Sequence, residues 1–99
     1  MAINKTIEGD HMTITPESRI DTNTAPELET IIKNSLDGIT DLVIDLKDLN
    51  YISSAGLRVL LSAQKTMNRK GSMVIRNASS KVLEIFEVTG FDCILNIEN

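Results

Sequence analysis

The chain is poor in the residues that most chemistry uses. Its 99 residues include one Cys, one His, no Trp and only three aromatic side chains. A lone Cys excludes an internal disulfide, and without Cys pairs there is no thiolate zinc site. A lone His removes most metal-binding and triad chemistry, so no metal ligand set, catalytic residue or cofactor is expected. Three aromatics provide no stacking platform for single-stranded nucleic acid. No apolar run exceeds three residues, as in Leu42-Val43-Ile44 or Val59-Leu60-Leu61. That excludes a membrane-spanning helix and a secretory leader in this sequence. With no address in the sequence, the expected location is the cytoplasm.

What is present is a modest core and an uneven charge. Ile, Leu, Val and Phe make up 30 of the 99 residues, enough for one small folded domain over residues 1–99. The first fifty residues carry 10 acids and 4 bases, the remainder 4 acids and 6 bases. The net charge of −4 argues against a nucleic-acid binder, which must neutralise phosphates. Lys65, Arg69, Lys70 and Arg76 cluster near the end of an expected helix. There they complement the helix dipole.

Periodicity orders the elements. Residues 3–7 and 11–15 alternate in polarity around Gly9-Asp10, which predicts a hairpin of half-buried strands ending at Pro16. Thr24-Ala25-Pro26-Glu27 has the form of a capping box. Leu28, Ile31, Ile32 and Leu36 then follow helical spacing up to Asp37-Gly38. Leu42-Val43-Ile44-Asp45-Leu46 reads as an interior strand, apolar on both faces. A polar loop leads to a second helix opening at Ser53-Ser54-Ala55-Gly56, with Leu57, Leu60, Leu61 and Met67 on its core side and Gly71 at its end. Met73-Val74-Ile75 is the next strand. Ser79-Ser80 opens a third helix bearing Val82, Leu83, Ile85 and Phe86 and closed by Gly90. Cys93 to Ile97 reads as a last strand, with Cys93 a small buried hydrophobe. The order is β-β-α-β-α-β-α-β. It specifies an α/β fold with a small sheet, parallel through crossover connections and mixed because of the hairpin.

The most informative segment runs from Asp45 to Leu57. A strand ends, a short loop follows, and a helix begins at the sheet edge where ligands and partners dock in such folds. Ser53 is the expected N-cap. Ser54 would then be the first helical residue, with a hydroxyl the cap does not need. Ala55-Gly56 leave a low surface around it. Gly56 costs helix stability, which points to close approach by another backbone, either its own strand or a partner. Ala55, Val59, Ser62 and Thr66 fall opposite the core stripe. Val59 there is either an ordinary exposed valine or part of an interaction surface starting at Ser54. A hydrolase is disfavoured: no Gly-x-Ser-x-Gly elbow is present, and His11, the one imidazole, lies in the first hairpin as an expected surface residue. Loop residues Asp45 and Asp48 read as solvated or capping, and Tyr51 as packing under the loop.

The run from Asp45 to Leu57, with Val59-Leu60-Leu61, resembles the signature of STAS domains, in particular the bacterial anti-sigma factor antagonists. Arg19-Ile20-Asp21-Thr22, Gly71 to Ile75, and Val82 to Phe86 with Thr89-Gly90-Phe91 resemble further segments of that family in the same order. The resemblance implies a STAS fold and a regulatory protein that is not an enzyme. It also implies a partner: a serine kinase that doubles as an anti-sigma factor. Phosphorylation at the start of the second helix would release that kinase, and a metal-dependent serine/threonine phosphatase would reverse the modification. The modified position falls on Ser54. The docking surface implied comprises Asp21, Thr22, Ser53, Ser54, Ala55, Gly56 and Val59. Two positions differ from the family pattern. Ser53 stands where Asp is frequent, which leaves two adjacent hydroxyls at the modified position, and Arg19 stands where Gly is usual. The resemblance also admits a STAS scaffold or regulatory subunit of a transport, secretion or signalling assembly, with no kinase.

Overall fold

The computed structural model describes residues 2–98. The hairpin forms as expected: β1 (Ile3–Glu8) pairs antiparallel with β2 (His11–Pro16). Gly9 takes a φ of 63° in the turn between them, a conformation glycine adopts freely. β1 is not half-buried, however. It is an edge strand on which Ile3 alone is partly covered, because nothing packs beyond it.

Helix α1 (Ala25–Ser35) follows, then β4 (Asp41–Asp45), helix α2 (Ser54–Lys70), β6 (Ser72–Arg76) and helix α3 (Ser80–Thr89). Two further short strands form: β3 (Ser18–Ile20), in a segment to which the sequence assigns no element, and β5 (Leu49–Ile52), in the expected polar loop. They form a separate parallel pair beside the main sheet. Ser18, at a φ of 67°, turns the chain out of β2 toward this second sheet. The expected last strand shrinks to β7 (Ile97–Glu98), because Phe91–Cys93 winds into a 3₁₀ turn. Cys93 is therefore exposed rather than buried.

The main sheet runs β1-β2-β4-β6-β7, and every pairing except the hairpin is parallel. β4 sits between two parallel neighbours, as its apolar sequence predicts. Its two faces are not equivalent. Leu42 and Ile44 are buried with Met12, Ile14, Met73 and Ile75, whereas Val43 and Val74 on the other face are only partly covered. The core lies between the first face and the helices, with Leu28, Leu60, Met67, Val82 and Phe86 filling it.

Capping shows what stops and starts each helix. The Ser53 and Ser79 hydroxyls accept from the Gly56 and Val82 amides, three residues on, as N-cap serines do. Gly71 ends α2 where a side chain is impossible: a Cβ there would stand 1.9 Å from the Thr40 carbonyl oxygen. The capping box at Thr24 does not form. Asp21, three residues upstream, takes over that role with its own carboxylate, and the Thr24 hydroxyl accepts from the Asp21 amide instead.

Candidate functional site

The start of α2 is held by backbone bonds. The Ser53 amide donates to the Ile20 carbonyl at 2.8 Å, tying the end of β5 to the end of β3. The Ser53 carbonyl accepts from Leu57 at 2.9 Å, the first intrahelical bond, while its hydroxyl accepts from the Gly56 amide at 3.4 Å. Ser54 is the first residue inside the helix, and it is exposed. Among the described residues its hydroxyl has no hydrogen-bond partner. The two adjacent serines thus divide: Ser53 is partly covered and occupied, and Ser54 stands free at the positive end of the helix dipole.

Gly56 is buried, and the reason is internal. A Cβ at this position would lie 2.6 Å from Ile52 Cγ1 and 2.7 Å from Ile20 Cγ2. The first turn of α2 rests directly on the β3–β5 pair, and only glycine allows that approach. Gly56 is therefore removed from the expected docking residues.

Val59 is largely covered as well, with only an edge reaching the cleft that Thr22 and Ala55 line. It is 6% exposed. It faces α1 across a narrow 50 Å³ gap shared with Ile32, Leu36 and Ala63. The sequence pattern treats α2 as buried on one side, but the sheet and α1 both cover it. Its apolar arc is accordingly wider than one stripe, and Val59 belongs to the core.

Asp21 and Thr22 arrive beside the helix start through Ile20. Asp21 Oδ1 accepts from the Asn23 amide at 2.9 Å and the Thr24 amide at 3.0 Å. Its Oδ2 lies 3.2 Å from Arg19 Nε. The Thr24 backbone N–H bond, above all, holds the Asp21 carboxyl below its ordinary pKa, with help from Asn23 and Arg19 and against some desolvation. Both carboxylate oxygens are thus engaged within the chain. Thr22 is exposed and lines a shallow 180 Å³ cleft with Pro26, Glu29, Ala55 and Arg58. Of the seven expected docking residues, the structure brings Asp21, Thr22, Ser53, Ser54 and Ala55 to one neighbourhood.

Arg19 sits within β3. Its guanidinium carbon is 5.0 Å from the centre of the Tyr51 ring, a cation–π contact across the β3–β5 pair. Tyr51 is consequently 42% exposed rather than packed under a loop. A groove of 520 Å³ runs between β5 and α3, lined by Arg19, Asn50, Tyr51, Lys81, Ile85 and Val88. The groove is not legible in the sequence, because β5 is four residues long and shows no strand alternation.

Asp45 accepts from the Lys47 amide at 3.1 Å and from Asn77 Nδ2 at 3.1 Å, a turn-capping role. No helix of the described residues is long and apolar enough to cross a membrane.

The family model described as STAS domain matches residues 2–99. The chain belongs to the STAS domain family. An anti-sigma-B factor antagonist of Listeria monocytogenes is 33% identical over 93 residues, which cover 91% of this chain and 81% of that protein. The crystal structure of an anti-sigma factor antagonist from Mycobacterium paratuberculosis superposes with a TM-score of 0.87 at 22% identity, over 97% of this chain and 83% of that one. The antagonist SpoIIAA in its unphosphorylated form gives a TM-score of 0.84 at 15% identity, over 99% and 89% of the two chains. At those identities the two structures establish the STAS fold, and the Listeria sequence adds kinship across most of the chain.

Proposed function

We propose that this STAS domain is an anti-sigma factor antagonist whose binding is switched at Ser54. It is a binding protein and not an enzyme. Its partner is a serine kinase that acts as an anti-sigma factor, and a metal-dependent serine/threonine phosphatase reverses the modification. The setting is the cytoplasm. The observation that carries this reading is the division of labour at the start of α2. Ser53 caps the helix, and the neighbouring hydroxyl is exposed and unengaged. A related fold, SpoIIAA, is also known in a phosphorylated form.

The physics of such a switch is local. A phosphate on Ser54 would add about −1.5 to −2 charges and three acceptor oxygens. At a helix N-terminus the dipole and the free amides favour it, so the domain stays folded. In a packed complex the same group meets desolvation and like charge. One like-charge contact at ~4 Å with an effective dielectric near 20 costs roughly 4 kcal/mol. That is nearly a thousandfold in affinity at about 1.4 kcal/mol per decade. Hydrolytic use of Ser54 lacks an imidazole base, because His11 lies beside the start of β4, where α2 ends, and Ser54 is at the other end of that helix.

The deciding experiment purifies the protein from its own cell with whatever it binds and maps peptides spanning residues 48–58 by mass spectrometry. Binding of the recovered kinase is then measured for the wild type, Ser54→Ala and Ser54→Asp. Ser54→Ala should bind as the unmodified protein does, and Ser54→Asp should bind poorly. Equal binding by all three removes the switch and favours a constitutive scaffold. Phosphate on Ser53 instead would move the switch by one residue.

A further inference from the structure

The first turn of α2 carries no acidic side chain, although the helix dipole favours one there. The first charged residue of the helix is instead a cation. Arg58 is its fifth residue, four positions after Ser54, and both are exposed. None of the ion pairs among the described residues includes Arg58. Its side chain lines the cleft with Thr22, Pro26, Glu29 and Ala55. The one acid of that cleft, Glu29, lies 3.8 Å from Lys33 Nζ instead. The start of α2 therefore combines the positive end of a dipole with an unpaired guanidinium, and no anion balances either.

Helical spacing fixes what Ser54 and Arg58 can do together. Residues four apart share a face, with Cβ atoms about 5–6 Å from each other. Side chains on a helix lean toward its N-terminus, so Arg58 leans over the turn that begins with Ser54. Anion first and cation four residues later is the favourable order for such a pair. The bare hydroxyl of Ser54 is short and uncharged. A phosphate on it is longer and anionic, and the planar donors of a guanidinium match two of its oxygens.

We propose that Arg58 clamps phosphate on Ser54, a role that rests on the reading of Ser54 as the modified residue and states how the modified form is held. The kinase's nucleoside triphosphate gives its γ-phosphoryl group to Ser54 Oγ, which loses its proton, and the diphosphate leaves. Arg58 then donates to two oxygens of the new group. The phosphate is fixed against its own helix, and the guanidinium is withdrawn from the cleft beside Thr22 and Ala55. The docking neighbourhood thereby exchanges a free cation for a pair that is anionic overall.

The test uses the full chain phosphorylated on Ser54, made by incorporating phosphoserine at position 54 during translation, so that no kinase is needed. Phosphorus NMR follows the phosphate through its second ionisation, which falls at about pH 6 when unperturbed. With Arg58 in place the midpoint should lie lower, because a nearby cation favours the dianion. Arg58→Gln should raise it by roughly half a pH unit, the size of an exposed ion pair. The helix dipole also lowers the midpoint, but it is common to all variants. Arg58→Lys should recover part of the shift, since it keeps the charge without the paired donors. Arg69→Gln, in the last turn of α2, should leave the midpoint unchanged. The Arg58 Nε resonance should titrate together with the phosphate. An identical midpoint in wild type and Arg58→Gln, or an Nε resonance that ignores the phosphate, would overturn the clamp. Kinase binding is scored separately. If Ser54→Asp binds the kinase as well as the wild type does while the Arg58-dependent shift persists, the switch falls and the clamp stands.

Discussion

The Ser53 amide points at the Ile20 carbonyl, 2.8 Å away, and this bond fastens the start of α2 to the end of β3. It joins two segments more than thirty positions apart, so that Asp21 and Thr22 emerge next to the hydroxyl of Ser54 rather than elsewhere on the sheet edge. The two-stranded sheet carries this junction, and Gly56 lets the helix settle on it.

Gly56→Ala should destabilise the domain even though alanine is the better helix former by up to about 1 kcal/mol. The new methyl would meet Ile52 and Ile20 at 2.6 and 2.7 Å. Overpacking of this kind costs about 1–3 kcal/mol, so a net loss is expected in urea unfolding. A variant as stable as the wild type would show that the helix start can lift off the strands freely.

Ser54→Asp should fold and gain about 0.3–1 kcal/mol, because a carboxylate at the first helical position complements the dipole. Unfolding at low ionic strength checks the gain, and added salt should reduce it. A marked loss would mean that an anion at this position disturbs its own domain.

Asp21 has its carboxyl pKa lowered in the folded state by the Thr24 amide in particular. The sign follows from linkage. A depressed folded value contributes stability that is complete above the ordinary carboxylate range and is lost as pH falls through that range toward the lowered value. The stability difference between wild type and Asp21→Ala should therefore be constant near neutrality and narrow in acid. A difference independent of pH would show that the bonds to Thr24 and Asn23 do not discriminate between the charged and neutral forms.

Val59→Ala should cost about 2 kcal/mol, combining lost apolar burial with the space left between α1 and α2. Thermal unfolding measures it. Once folded, the variant should bind partners as the wild type does, since Val59 presents almost no surface. A binding defect without loss of stability would return this residue to the docking face.

Local signals in the sequence were sufficient for most of the elements. The hairpin, the three helices, the caps at Ser53 and Ser79, and the central place of β4 all follow from polarity spacing and from serine or glycine at element ends. Most of the readings that fail do so where a distant segment decides. Thr24 lost its capping box because Asp21 competes for the same amide. Val59 was judged against one covering layer when α1 supplies a second. β3 and β5 are too short to show periodicity, and each is held by the other. Cys93 was placed in a strand because its neighbours are apolar, but the chain winds there before β7 begins. Ser54 was legible because a cap needs one serine and two were present.

The parallel ladder has a kinetic consequence. β1 and β2 meet across a two-residue turn, whereas β2 reaches β4 only after an intervening helix, with His11 opposite Asp41. Hairpins close in about 1–10 μs, but pairings between remote stretches wait on the search that brings them together. Refolding after dilution from denaturant should accordingly be paced by assembly of β2, β4 and β6, so that weakening β4 slows it more than loosening the turn at Gly9.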